Sequence, residues 1–313
     1  MTKVRNSHLG QWPRSDIEMK RNVGPKQIIK KFIPPIVLDI KNIMISGMKD
    51  KKAGSTAPEW EYVSDSWVDC FRGQTVRGWN AEGVVSTVTR MWPRFNESIT
   101  APNPFGLSNE AVIETKPDIG FHNNVMTYAF VLSLVSRGKN CIRILDWGGG
   151  IGHYYKIAKS LFPDLRLEYT CKDMPKICAA GRKICPEVRF VSKEMDCLQE
   201  KYDLVMASTS LHYNRDWQRV LGCLIASANG YIFINRLPVV ETALSYVMIQ
   251  RPCQYGYETE YLGWCINRSE FLDEARHAGA ILQRVFLCAD GNNIIIPGAP
   301  EQACYQGFLF KKK

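Results

Sequence analysis

From residue 141 onward, apolar positions alternate between two periods. Short β-branched runs end in Gly, Asp or Ser, and each is followed by a stretch with apolar residues three and four apart. The runs predict strands at 141–146, 165–171, 188–191, 202–207, 230–235, 281–288 and 304–310. The intervening stretches predict helices at 154–161, 176–183, 217–226 and 269–278, the last with Ser269 as its N-cap. An apolar helix over 123–135 is placed to pack against the sheet edge. Strands alternating with helices imply a doubly wound, mostly parallel α/β sheet, here of seven strands, and the two final runs close it as a pair across the Asp290-Gly291-Asn292 turn.

The first 135 residues read differently. Residues 1–31 are polar, basic and aperiodic. After Lys30-Lys31-Phe32-Ile33-Pro34-Pro35, apolar residues at Ile36, Val37, Ile40, Ile43, Met44 and Met48 form the stripe of an amphipathic helix, flanked by Lys41, Lys49, Lys51 and Lys52. Residues 50–58 read as a linker. Trp60, Trp67, Trp79 and Trp92 punctuate a region of helical patches closed by a Pro-rich loop at 100–106. The expected division is a basic, flexible segment at 1–58, a helical cap at 59–135 and a ligand-binding domain at 136–313.

Charge sharpens this division. Residues 1–58 hold 12 Lys/Arg and 4 Asp/Glu, a net of +8 out of a total of +9. The basic stripe of residues 30–52 suits an anionic membrane surface or a docking site on protein, and is too short to span a bilayer. The near-neutral remainder, without an interleaved aromatic and basic module, argues against nucleic acid as partner. Eleven cysteines include no C-x-x-C pair. Cys171, Cys178 and Cys185, seven apart, fit one helix face better than a metal site, and no metal is expected. Without a signal peptide, the cysteines read as reduced thiols of a cytoplasmic chain.

The candidate chemistry centres on Asp146-Trp147-Gly148-Gly149-Gly150-Ile151-Gly152-His153. A strand running into a glycine cluster and then a helix lets a ligand approach the backbone, with free N–H groups behind it. The dinucleotide spacing G-x-G-x-x-G fails because His153 occupies its third glycine position. The spacing is instead G-x-G-x-G, with Asp146 two residues before it. A carboxylate there suits a ligand bearing an ammonium and a sulfonium, and would repel a pyrophosphate. This pattern resembles motif I of the class I S-adenosylmethionine (SAM) methyltransferases, which implies a Rossmann-like fold with a reversed last strand and SAM as cofactor. Asp173, 25 residues beyond Gly148 at the end of the second strand, is placed to hold ribose hydroxyls, with Met174 beside it. Ser208 opens the loop after the fourth strand. That loop, Ser208-Thr209-Ser210-Leu211-His212-Tyr213, lacks the D/N-P-P-Y/F of base N-methylating enzymes. His212 is the candidate general base, with His153 and His122 as fallbacks.

Leu145-Asp146-Trp147-Gly148-Gly149, Asp173-Met174-Pro175, Leu211-His212-Tyr213 and Asn235-Arg236-Leu237-Pro238 together resemble a bacterial family of methyltransferases encoded among genes for surface polysaccharides. That family carries L-D-F-G-G, acidic-x-P, L-Q-Y and D-R-x-P at these places. The resemblance spans roughly residues 60–287 and implies a glycan or lipid-linked sugar acceptor, O-methylated at the inner membrane surface. His212 stands where the family has Gln, and Asn235 where it has Asp. The competing readings are an RNA methyltransferase using the basic N-terminus as an arm, and a scaffold that binds SAM without turnover.

Overall fold

A computed structural model describes residues 58–64, 67, 78–102, 104–105, 118–252, 255–288 and 294–313. The chain divides into units 1–54 and 55–313, and these residues all belong to the second. The amphipathic stripe at 36–48, the lysine flank to residue 52, nearly all of the 50–58 linker and the turn at 290–292 lie outside the described residues.

The described elements, in chain order, begin with β1 (Trp60–Val63), α1 (Glu82–Thr100) and α2 (Ile119–Val135). Next come β2 (Cys141–Trp147), α3 (His153–Leu161), β3 (Arg166–Lys172), α4 (Pro175–Ile184), β4 (Arg189–Val191) and the short α5 (Met195–Leu198). β5 (Tyr202–Ser208), a 3₁₀ turn (Leu211–Tyr213), α6 (Trp217–Ser227), β6 (Ala228–Val240), β7 (Tyr246–Gln250) and β8 (Tyr261–Asn267) follow. The chain ends with α7 (Arg268–His277), β9 (Ala280–Leu287) and β10 (Cys304–Lys312). α2 begins four residues before the expected start because the Asp118 carboxylate caps it, accepting the Phe121 N–H at 2.7 Å. α7 is capped by Asn267, whose side-chain oxygen accepts the Glu270 N–H at 3.1 Å, and not by Ser269 as expected.

The sheet departs from the expected seven strands. Among the described residues it has ten and is mixed, in the order β1-β7-β8-β6-β5-β2-β3-β4, with β10 pairing both β6 and β9. The β4-β3-β2-β5-β6 portion is parallel, and β10 runs antiparallel between β6 and β9, as the reversed last strand requires. The additional strands are β1, β7 and β8. β7 is buried throughout and so shows no alternation in sequence, while β1 is four half-buried residues. The expected helical cap at 59–135 therefore contributes a strand to the sheet as well as α1 and α2.

β6 makes this extension possible. It pairs with β5 as far as Ser208–Asn235, then continues beyond the end of β5 and pairs with β8 at Val239 and Val240. The three N–H donors of the 241–243 turn beyond it are organised by Glu301, whose carboxylate accepts from the N–H groups of Glu241, Thr242 and Ala243 at 2.7–2.9 Å. Arg236 sits in the break between the two pairings with φ +51, a left-handed conformation that costs a non-glycine residue about 1–3 kcal/mol.

The two sheet faces bury separate cores. α6 and α7 cover one face, with Trp217, Leu221, Leu224 and Phe271 packed on Val205, Ile232 and Phe308. α2 and α3 cover the other, where Tyr128, Leu132 and Ile157 meet Ile144, Leu204 and Phe233. Cys171 lies on β3, while Cys178 and Cys185 lie within and at the end of α4, so the sevenfold spacing does not mark one helix face; all three are buried free thiols. Among the described residues, no helix is long and apolar enough to cross a membrane.

Candidate functional site

The C-terminal ends of β2, β3 and β5 open into a cavity of about 220 Å³. This is where ligands bind in sheets of this kind, because the strands stop and the loops diverge. Gly148, Gly149 and Gly150 line it. Gly148 has φ +75, and a Cβ there would overlap the Ser210 side chain. A Cβ on Gly149 would overlap the Asp146 carboxylate and lie 2.8 Å from Cys171 Sγ. The turn is thus bare backbone because side chains already occupy the space beneath it. Ser210 ties the fourth-strand loop to the turn, its Oγ donating to the Trp147 carbonyl at 2.5 Å.

Asp173 lines the cavity and braces the turn. One carboxylate oxygen accepts the Gly150 N–H at 2.8 Å and the other the Met174 N–H at 2.6 Å. Burial raises its pKa to about 6, against those two hydrogen bonds and the nearby Lys172 charge, which favour the carboxylate. Each oxygen keeps acceptor capacity for a further donor. Met174 and Ser208 are also on the wall.

Asp146 is not. Its carboxylate lies under Gly149, 1% exposed, and one oxygen accepts the Tyr169 hydroxyl at 2.7 Å. The other has no hydrogen-bond partner among the described residues. Burial pushes its pKa up to about 7, opposed by the Tyr169 bond. Asp146, expected among the cofactor-binding residues, thus lies beneath the turn and not on the cavity wall. Gly152 is also off the wall, because its Cα faces Cys185 and Phe190 behind α3.

The histidines fall out differently from expectation. His212 is fully buried, its ring centroid 4.0 Å from that of Tyr213, and neither nitrogen has a partner among the described residues. Burial, with the Arg236 charge adding to it, lowers its pKa to about 3. His212 is thus a neutral, buried imidazole that is not on the cavity wall, a placement that does not suit the expected role of general base. His212→Gln should lower turnover less than about tenfold, where loss of a true general base costs about 10²–10⁴-fold. A steady-state assay with cofactor affinity measured in parallel checks this. His153 does line the cavity, held edge-on to Trp92 and Phe95 at 5.2 and 5.0 Å. Burial lowers it to about 3 as well, which keeps it neutral and a weak base. His122 stacks on Phe105 at 6.4 Å and is not on the wall.

Several wall residues carried no sequence signal as site residues. Lys172 follows the β3 run and places its ammonium 4.2 Å from the Trp147 ring centroid. Tyr154 shares a hydrogen bond of 2.8 Å with Ser208, which was expected at the site. Tyr213, Trp79 and Tyr257 form an aromatic wall, with the rings of Trp79 and Tyr213 5.1 Å apart. Arg236, part of a quoted motif but given no role, completes the wall on the β6 side. Only its place in the D-R-x-P-like segment could have flagged it.

No protein-family model matches the sequence, and no curated protein matches it significantly. Solved structures that resemble it include SAM-dependent methyltransferases. Magnesium protoporphyrin IX methyltransferase from Synechocystis, with S-adenosylhomocysteine (SAH) bound, is 13% identical at a TM-score of 0.45, covering 75% of this chain and 96% of that one. Mitomycin 7-O-methyltransferase is 14% identical at 0.40, covering 62% of this chain and 55% of that one, so the match spans about half its length. A Burkholderia thailandensis 1,6-didemethyltoxoflavin N1-methyltransferase, also with SAH, is 16% identical at 0.39, covering 60% and 78%. At these identities and TM-scores none of the three assigns an activity to this chain.

Proposed function

We propose that the protein is a SAM-dependent methyltransferase that O-methylates a hydroxyl of a glycan or lipid-linked sugar. The observation that carries this reading is the union of the bare glycine turn and Asp173 on one cavity wall, joined by the 2.8 Å Gly150 hydrogen bond. The wall fits the cofactor. Asp173 has acceptor capacity for ribose hydroxyls, Val84, Val88 and Ile177 offer an apolar face for a base, and the turn presents bare backbone to the cavity. When bound, SAM supplies a methyl group made electrophilic by its sulfonium. Asp146, beneath the turn, favours positive charge above it.

The protein's own part is positioning. Ser208 and Tyr154 present paired hydroxyls beside the fourth-strand loop, and Trp79, Tyr213 and Tyr257 offer ring faces whose negative quadrupole suits the C–H face of a sugar. With both buried imidazoles held near 3, orientation of the hydroxyl carries the step: its oxygen bonds the methyl as the bond from methyl to sulfur breaks to leave SAH, and its proton passes to solvent. The lysine-flanked stripe of residues 30–52 extends the reading to an anionic membrane surface, which sedimentation with anionic vesicles tests.

Calorimetry tests the core of the reading. SAM and SAH should bind and NAD should not; NAD binding without SAM would sink it. Asp173→Ala should weaken SAH by about 1.5–3 kcal/mol, the scale of hydrogen bonds to a charged acceptor. An unchanged dissociation constant would place the ribose elsewhere.

A further inference from the structure

The charged side chains on the cavity wall are divided between its two sides. Lys172 and Asp173 are neighbours at the end of β3, and Arg236 lies on β6. The order β3-β2-β5-β6 puts the β5 strand between Arg236 and the glycine turn. At about 4.8 Å per strand, Arg236 stands roughly 10 Å from the β2 turn, on the side away from Asp173. A cofactor lying on the turn with its ribose at Asp173 leaves the β5–β6 side to the acceptor.

Arg236 is built into that side. The Thr209 N–H bonds the Asn235 carbonyl at 3.0 Å, which fixes the chain just before Arg236 against the fourth-strand loop. The next residues leave β5 and turn toward β8, so Arg236 occupies the corner between the two pairings. Its guanidinium lies 5.6 Å from the Tyr305 ring centroid on β10. Its charge is felt by both Tyr154 and His212, the latter packed on Tyr213. The Tyr154–Ser208 hydroxyl pair and the ring of Tyr213 complete the same corner. A planar cation beside hydroxyl donors and an aromatic face binds an oxyanion bidentately while a ring stacks alongside.

We propose that the acceptor is an anionic sugar, carrying a carboxylate or a phosphate that Arg236 seats. This rests on the methyltransferase reading for the side of the cavity that the acceptor takes and for the acceptor's being a sugar. A uronate and a glycosyl phosphate present the same oxyanion chemistry to the guanidinium, and separate probes distinguish them.

The test is calorimetry of the full-length protein at low ionic strength with glucuronate, glucose 1-phosphate and glucose, each titrated with and without saturating SAH. At least one anionic probe should bind tenfold or more tighter than glucose, and which one does so identifies the anion. Arg236→Gln should bring that probe to the level of glucose, and Arg236→Lys, which keeps the charge but loses the fork, should retain part of the preference. SAH affinity should stay within threefold in both variants, and thermal melts confirm that they fold. Equal binding of glucose, no binding of either anionic probe, or a preference that survives Arg236→Gln would each overturn the proposal. So would a tenfold loss of SAH affinity in Arg236→Gln, since Arg236 would then hold the cofactor's own carboxylate. Failure of SAH to bind the unaltered protein would count against the methyltransferase reading, while the sugar titrations without SAH still decide the role of Arg236.

Discussion

Gly149→Ala should abolish measurable SAM binding and destabilise the protein by about 1–3 kcal/mol, the usual scale of overpacking a closed site. The added methyl would overlap the Asp146 carboxylate and approach Cys171 Sγ at 2.8 Å, and both side chains are buried at strand ends with no room to retreat. The turn must lift, which breaks the Gly150 N–H bond to Asp173 and moves the wall on which a cofactor would lie. Combining Gly149→Ala with Asp146→Ala removes the overlap, so the double variant should regain much of the lost stability. It should not regain SAM affinity, because the carboxylate beneath the turn is gone. Denaturant melts and calorimetry on the single and double variants read the two effects separately. A Gly149→Ala protein with unaltered stability and affinity would mean that the turn is pliable and that its bareness serves no ligand.

SAM affinity should rise more steeply with pH than SAH affinity between about pH 5.5 and 8. Burial raises Asp146 to about 7 and Asp173 to about 6, so both carboxyls lose their protons across this window. SAM carries one more positive charge than SAH, and that charge is favoured only as the acids ionise. Asp146→Asn should flatten the difference, and a SAM-to-SAH ratio independent of pH in the unaltered protein would refute the coupling.

The same shifts set the sign for stability. A folded pKa above the unfolded value of about 3.9 means that the folded state binds the extra proton, so these carboxyls contribute less stability as pH rises from about 4 to 7. The two buried imidazoles, both lowered to about 3, act in the opposite direction between about 3 and 6.5. The contributions of these four groups therefore largely cancel where the two pairs overlap, leaving Glu301, which its hydrogen bonds hold down to about 2, to add stability as pH rises. Comparing Asp146→Asn with the unaltered protein isolates one member. The variant should gain relative stability through this window, reaching on the order of 4 kcal/mol by pH 8 for a shift of about three units. The Asn side chain still accepts from Tyr169 and buries no charge.

Local pattern determined much of this protein from sequence alone. The strand and helix periods from residue 141 onward place β2, α3, β3, α4, β4, β5 and α6 within two residues of their observed bounds, because side-chain spacing and end signals are short-range properties, while the short α5 and the 3₁₀ turn had no expected counterpart. The glycine turn and Asp173, 25 residues apart, were legible for the same reason: each ends a strand, and adjacent parallel strands bring their ends together. Tertiary structure decided which neighbours of those ends reach the cavity. His212 and Tyr213 are consecutive, but the 3₁₀ turn carries them about 120° apart, one into the core and one onto the wall. The extension of β6 past β5, and the strands β7, β8 and β1 that it recruits, depend on long-range pairing that no local period encodes. Trp79, Arg236 and Tyr257 meet on one wall only because that pairing folds distant segments over the strand ends. Asp146, conspicuous in sequence, was drawn under the turn because the chain above it has no side chain to hold it away.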